Sequence, residues 1–141
     1  MNANEKSVGA GLVPAHLAMS EARKAASKGE VPIGAVIVRG DKVIAQAHNM
    51  RERKQNALYH AEILAINKAC KRLKSWRLDD CVMYVTLEPC QMCMGAITNA
   101  RIKTVYIGAK STTDLNWKTE VVFQESEECS KLLKDFFASK R

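Results

Sequence analysis

The chain has 141 residues and a formal net charge of +7, from 22 lysines and arginines against 15 acidic residues. This length fits one compact domain that needs no disulfides to fold. No apolar stretch approaches the roughly 20 residues of a membrane helix, so we expect no membrane partner. The basic excess favours a polyanionic partner such as nucleic acid. Five cysteines cannot all pair within one chain, and no signal peptide is visible, so we expect a reducing, cytoplasmic compartment.

Met1–Pro14 is polar and contains glycine, and we predict that residues 1–14 are a flexible lead-in to a domain of residues 15–141. Beyond it, hydrophobic periodicity and turn residues predict four helices and five strands. In chain order these are a helix at Ala15–Lys28, strands at Ile33–Val38 and Lys42–Ala47, a helix at His60–Leu73, a strand at Cys81–Leu87, a helix at Cys90–Ala100, strands at Thr104–Ile107 and Thr119–Phe123, and a helix at Glu127–Ser139. The polar segments His48–Tyr59 and Lys110–Lys118 are predicted loops. Because strands alternate with helices, we predict an α/β domain built on one sheet.

Two cysteines lie at the start of the third predicted helix, in the segment Pro89–Cys93. Positions i and i+3 share a helix face, so Cys90 and Cys93 point the same way. The free N–H groups and the dipole at a helix N-terminus favour thiolate over thiol. This pair can therefore present two thiolates to one metal ion.

A catalytic zinc site uses three protein ligands and leaves one position for water. His60 is the candidate third ligand, because it opens another predicted helix whose N-terminus can meet that of Cys90 at one edge of the sheet. Glu62 follows two residues later and reaches the same point only if the site lies off the helix end. There it can take a proton from the attacking water and return it to the ring nitrogen and the leaving ammonia.

The ordered set H-x-E and P-C-x-x-C is the signature of zinc deaminases acting on nucleobases. Two other interpretations compete with it. A C-x-x-C pair can be a redox dithiol, although that motif is expected in a thioredoxin-like βαβ unit. A purely structural zinc site is the second, if Cys81 supplies the fourth ligand. Otherwise Cys70, Cys81 and Cys129 are expected to be small buried apolar side chains.

These motifs and their surroundings resemble the bacterial tRNA-specific adenosine deaminases, of the cytidine-deaminase-like superfamily. The similarity runs from about Ala15 to Lys110 and resumes in the C-terminal helix. It is carried by Glu30–Val36, Asn49, Asn56–Glu62, Tyr84–Cys93, Gly95–Ile97 and Ala100–Ile102. The resemblance implies a three-layer α/β/α sandwich with a five-stranded mixed sheet.

The same resemblance implies roles for individual residues. It gives a zinc ion (Zn²⁺) to His60, Cys90 and Cys93, and the proton transfers to Glu62. It makes Asn49 a contact to the base or ribose, whereas a plain turn residue is the alternative from the sequence. Backbone groups of further residues would line the substrate pocket: Val31, Ala61, Leu87 and Glu88. It also implies a homodimer, to which the apolar stripe of Met92–Ile97 could contribute, although core packing is the simpler role.

The leading hypothesis is adenosine-to-inosine deamination in single-stranded nucleic acid, most naturally at the wobble position of a tRNA anticodon loop. Exposed cations would form the groove for it: Arg51, Arg53, Lys54, Lys110, Lys118, Lys134, Lys140 and Arg141. Ser111–Trp117 is shorter than the family's loop near the anticodon, and Trp117 is either a stacking platform or a plug over the sheet edge. The alternatives are a deaminase of free guanine, cytosine or a nucleoside, and a zinc-binding module without turnover.

Overall fold

The computed structural model describes residues 3–111 and 119–140, with side chains from Leu12 onward. Within these ranges the chain forms five helices and five strands. They are α1 (Ala3–Ser27), β1 (Gly34–Arg39), β2 (Lys42–His48), α2 (Arg51–Lys54), α3 (Ala61–Leu73), β3 (Cys81–Val85), α4 (Gln91–Asn99), β4 (Thr104–Ile107), β5 (Glu120–Phe123) and α5 (Glu127–Ser139). No helix in the described ranges combines the length and apolar character that crossing a membrane requires.

The five strands form one mixed sheet in the order β2-β1-β3-β4-β5. β1 pairs antiparallel with both β2 and β3, whereas β3, β4 and β5 run parallel to one another. The connection from β3 to β4 passes through α4, so the N-terminus of α4 lies beyond the carboxyl end of β3. Ligand sites in α/β sheets commonly form at this edge.

Alternating residues of β1 divide the core into two layers. Ala35 and Ile37 face α3 and α4 in the larger apolar cluster, where buried alanines of α3 allow the helix to approach the sheet closely. Val36 and Val38 face the opposite side and pack with Ala18 of α1. Helix α5 joins α1 on that second side through a cluster that contains Cys129 and Met19. The predicted three-layer α/β/α sandwich with a five-stranded mixed sheet is confirmed.

The predicted start of the first helix at Ala15 is wrong, because α1 begins at Ala3 and contains Pro14. Gly9, Gly11 and Pro14 all disfavour helix interiors, which is why the composition predicts no helix there. A proline removes only its own N–H, however, so it does not force a helix to begin after it. The flexibility of residues 1–14 stays a prediction.

The segment between β2 and α3 was predicted to be a loop throughout. This prediction is wrong in part, because the segment contains the four-residue helix α2. None of the residues of α2 is buried, so the sequence carries no hydrophobic periodicity there. Its position depends instead on contacts with residues far away in the chain.

A buried polar network joins α1 to β2. The His48 ring donates from Nδ1 to Glu21 Oε1 at 2.7 Å and accepts at Nε2 from the Lys28 ammonium group at 3.3 Å. Gln46 and Lys24 both donate to the second oxygen of Glu21. Burial alone would raise the pKa of Glu21, but the hydrogen bonds from His48 and Lys24 outweigh it, and the net pKa is lowered. His48 therefore packs between α1 and β2 as part of this network.

Candidate active site

Two helix N-termini meet at the edge of the sheet and bring the predicted ligands together. His60 is the N-cap of α3 and Cys90 is the N-cap of α4, both in extended backbone conformation. Cys93 lies in the first turn of α4 and is buried. The predicted arrangement, with the site off the ends of two helices, is the one observed.

The distances within this cluster match a tetrahedral metal centre. His60 Nδ1 lies 3.7 Å from Cys90 Sγ and 3.5 Å from Cys93 Sγ. A tetrahedral zinc with ordinary bond lengths separates a nitrogen and a sulfur ligand by about 3.6 Å. All three ligand atoms lie within 4.8 Å of one another. Two sulfurs and one imidazole nitrogen in this geometry fit zinc.

Cys81, considered above as a fourth ligand, is not part of this cluster. It begins β3, whereas the cluster lies beyond the opposite end of that strand. Among the described residues the cluster thus has three side chains that could ligate a metal, a number typical of catalytic rather than structural zinc sites. Cys81 and Cys129 are buried and Cys70 is partly buried, all as free thiols.

The electrostatics of the ligands suit a bound cation. Burial, followed by the nearby Glu62 and Cys90, raises the pKa of Cys93 well above its ordinary value. Burial of Cys93 therefore opposes the thiolate that the helix N-terminus favours, and a bound cation would stabilise that thiolate. Burial and the positive charge of Arg51 lower the pKa of His60, which keeps its imidazole neutral and able to ligate.

Glu62 is a buried carboxyl group beside this cluster, with only 3% of its surface exposed. No group in the described part of the chain donates a hydrogen bond to its Oε1. Burial raises its pKa to about 7, although its own backbone N–H and the Cys93 thiol act in the opposite direction. An acid with a pKa near neutrality is suited to receiving and returning a proton.

Asn49 is buried directly after β2, where its Oδ1 accepts from the N–H of Arg51 at 3.1 Å. Its own N–H donates to the carbonyl of Ile33 at 3.1 Å, two residues after the partly buried Val31. The turn role considered for Asn49 is therefore present. A contact from its amide group to substrate, and one from Val31, stay predictions.

The remaining predicted pocket residues belong to the ends of α3 and β3. Ala61 is fully buried in the core against the sheet. Leu87 packs against the small cluster of α1 and α5. Glu88 is buried, and its Oε1 accepts from the N–H and the hydroxyl of Ser111 at 3.1 and 3.3 Å. Glu88 thus holds Ser111, at the start of the loop between β4 and β5, close to the end of β3. The rest of that loop, with Trp117, lies outside the described residues.

One buried acid near the site was missed by sequence reasoning. Glu30 has no exposed surface, and its carboxylate accepts from the N–H groups of Glu52 and Arg53 in α2. Partners 22 and 23 residues apart leave no local pattern. The available signal was an acidic residue directly before the apolar run that begins at Val31.

Comparison with known proteins agrees with this geometry. The family model for MafB19-like deaminases matches residues 15–141. A solved structure from a study of A-to-I editing by tRNA:A34 deaminases is 36% identical with a TM-score of 0.78, over 84% of this chain and 96% of that one. A guanine deaminase structure from Bacillus subtilis is 30% identical with a TM-score of 0.68, over 99% of this chain and 94% of that one.

A curated tRNA-specific adenosine deaminase from Bacillus subtilis is 45% identical, and the match covers 88% of this chain and 86% of the relative. This identity exceeds that to the guanine deaminase, and it extends over nearly the whole of both proteins. The chain therefore belongs to the family of tRNA-specific adenosine deaminases.

Proposed function

We propose that the protein is a zinc-dependent hydrolytic deaminase that converts adenosine to inosine at the wobble position of tRNA. The observation that carries the proposal is the cluster of His60, Cys90 and Cys93 with the buried Glu62 beside it. Three ligands in tetrahedral geometry and one adjacent acid are the parts that hydrolytic deamination of a base requires.

His60 Nδ1 and the sulfurs of Cys90 and Cys93 would hold the zinc ion. Zinc, when bound, lowers the pKa of water so that it can attack an electron-poor ring carbon at neutral pH. The rigid ends of α3 and α4 keep the three ligand atoms in place. The apolar core beneath them, which contains Ala61 and Met94, excludes bulk water from that side.

Glu62 would move the protons of the reaction. Its buried carboxylate takes a proton from the attacking water and delivers it to the ring nitrogen of adenine. A second proton then passes through the same carboxyl group to the leaving amine. The new C–O bond replaces the C–N bond at C6, and ammonia departs.

The substrate assignment rests on the relatives and on charge. The curated relative at 45% identity is named for tRNA, and this chain carries a net charge of +7. Arg51, Arg53 and Lys54 are exposed on the segment that leads to His60. They are placed to neutralise phosphates of a single-stranded loop whose adenine has been flipped into the site. Asn49 would contact the base or ribose.

The assembly and compartment are also proposals. We propose a cytoplasmic homodimer, as the family resemblance implies. The stripe of Met92–Ile97 offers little apolar surface for it, because Cys93, Met94 and Ile97 are buried in the protomer's own core. Sedimentation at micromolar concentration tests this, and a monomer would count against dimerisation.

A stem-loop RNA with adenosine at the wobble position tests the proposed activity. We expect inosine at that position, and a rate that falls as salt is added, because phosphate contacts are screened. Free guanine, cytosine and nucleosides are assayed beside it. Ammonia release from a free base at a salt-independent rate, with no inosine in the RNA, would favour the small-molecule alternative.

A further inference from the structure

Glu30 is a fully buried acid that the proposed chemistry does not use. It lies three residues after the last residue of α1, Ser27, and its N–H donates to the carbonyl of Ala25 at 2.9 Å. Its carboxylate accepts from the N–H of Glu52 at 3.0 Å and from that of Arg53 at 2.6 Å. A fully buried charge is costly unless it is hydrogen-bonded, and charge-assisted bonds of this kind are strong.

Helix α2 depends on these bonds because its own N-cap residue supplies none. Its N-cap residue, Met50, makes no side-chain capping bond, and none of its four residues is buried. Isolated helices this short do not form in water. The free N–H groups of its first turn are instead taken by two side chains. Asn49 accepts from Arg51, and Glu30 accepts from the next two residues.

The segment that Glu30 holds in this way also leads into the metal-ligand cluster. The N–H of Met50 donates to the carbonyl of Tyr59 at 3.0 Å, and Tyr59 directly precedes His60. The exposed side chains of Arg51, Arg53 and Lys54 project from the same short helix. The short helix that Glu30 caps therefore carries three cationic side chains and donates the Arg51 N–H to Asn49 Oδ1.

We propose that Glu30 is a positioning residue for nucleic-acid binding: by capping α2 it fixes Asn49 and the cations of α2 toward the RNA substrate. This inference rests on the proposed function. Glu30 itself contacts no reacting atom, and α2 contributes no metal ligand. Loss of the cap should therefore weaken substrate binding and leave the chemical step unchanged.

The test compares Glu30→Gln with the wild-type zinc enzyme on the wobble-adenosine stem-loop. The glutamine oxygen can accept one N–H without charge assistance, and its amide NH₂ faces the other, so one bond is lost and the other is weakened. We expect KM to rise about tenfold, the equivalent of one such bond. kcat should stay within about twofold of wild type and zinc content should be unchanged. Amide hydrogen exchange at Glu52 and Arg53 should become faster.

Two further variants make the result interpretable. Glu125→Gln removes the same charge from an exposed position and should leave KM unchanged, so it separates capping from net charge. Glu30→Asp retains the carboxylate on a shorter side chain and should raise KM less than Glu30→Gln. If Glu30→Gln does not fold, the KM of Glu30→Asp tests the proposal in its place. An unchanged KM in the folded Glu30 variants, or a kcat that falls as much as kcat/KM, would overturn the proposal.

Failure of the proposed function gives a different result. If wild-type enzyme makes no inosine in the stem-loop, the activity assignment is wrong. Fluorescence anisotropy of the labelled stem-loop then measures binding directly in the same variants. Equal affinity of wild type and Glu30→Gln in that assay would refute the positioning role by itself.

Discussion

Replacing Glu62 by glutamine separates the chemistry of the site from its stability. The side chain is almost fully buried, and its Oε1 accepts no hydrogen bond from the described residues. Glutamine fills the same volume but cannot take up or release a proton at neutral pH. Since a positioned acid–base group contributes about 10²- to 10⁴-fold to a rate, we expect kcat to fall by at least about 100-fold.

The same substitution should not destabilise the protein. An unsatisfied buried polar group costs about 1–3 kcal/mol, and the cost is greater for a charged group than for a neutral amide. We therefore expect the metal-free Glu62→Gln protein to be more stable than metal-free wild type by about 2 kcal/mol at pH 8. In a domain of this size each kcal/mol shifts the thermal midpoint by about 2–4 °C.

The assays are inosine formation, zinc content by a colorimetric chelator, and thermal unfolding after chelation. Glu125→Gln, at an exposed position, is the matched control and should change none of the three. Retention of more than about a tenth of the wild-type kcat would refute the proton-transfer role of Glu62. A large drop in the thermal midpoint would instead show that the carboxylate stabilises the fold.

Three further predictions concern the metal site, the helix packing and the polar network. Cys90→Ala should lose zinc and turnover together and unfold at a lower temperature, because metal binding contributes to folding. Full zinc occupancy of this variant would show that Cys90 is not a ligand. Gly34→Ala places a Cβ against the backbone of Ala18 in α1 and should cost about 1–3 kcal/mol in urea unfolding. Gly95→Ala meets nothing within 4 Å and should be neutral or stabilising, so equal effects at the two glycines would contradict the packing. The lowered pKa of Glu21 stabilises the fold above its unfolded pKa, near 4.5, and this stabilisation disappears as the pH falls through the folded value. Glu21→Gln should therefore lose less stability than wild type between pH 7 and pH 3, and identical acid sensitivity would refute the network's role.

The metal-ligand cluster could be predicted because its geometry is encoded locally. Cys90 and Cys93 are three residues apart at a helix start, and His60 opens another helix, so two short motifs define the cluster once the helix ends meet. The strands and the amphipathic helix α5 were also predictable, since their apolar periodicity is strong. The Thr104–Ile107 strand and the Glu127–Ser139 helix have the predicted bounds.

The contacts that were not predicted join residues far apart in the sequence. Glu30 caps a helix more than twenty residues away in the sequence. Glu21 in α1 accepts a hydrogen bond from His48 at the end of β2. Single acidic residues in a basic chain give no sign of such partners, because the pairing depends on tertiary packing. Helix α2 was missed for the same reason, since its stability comes from Glu30 and Asn49 rather than from its own residues.

The most direct test of the account is deamination of a wobble-adenosine stem-loop in water labelled with heavy oxygen. The zinc-loaded wild-type protein should produce inosine that carries the label at C6, with one ammonia released for each inosine formed. Glu62→Gln with full zinc content should produce almost none. Unlabelled inosine, or equal activity of the two proteins, would contradict hydrolytic deamination through Glu62.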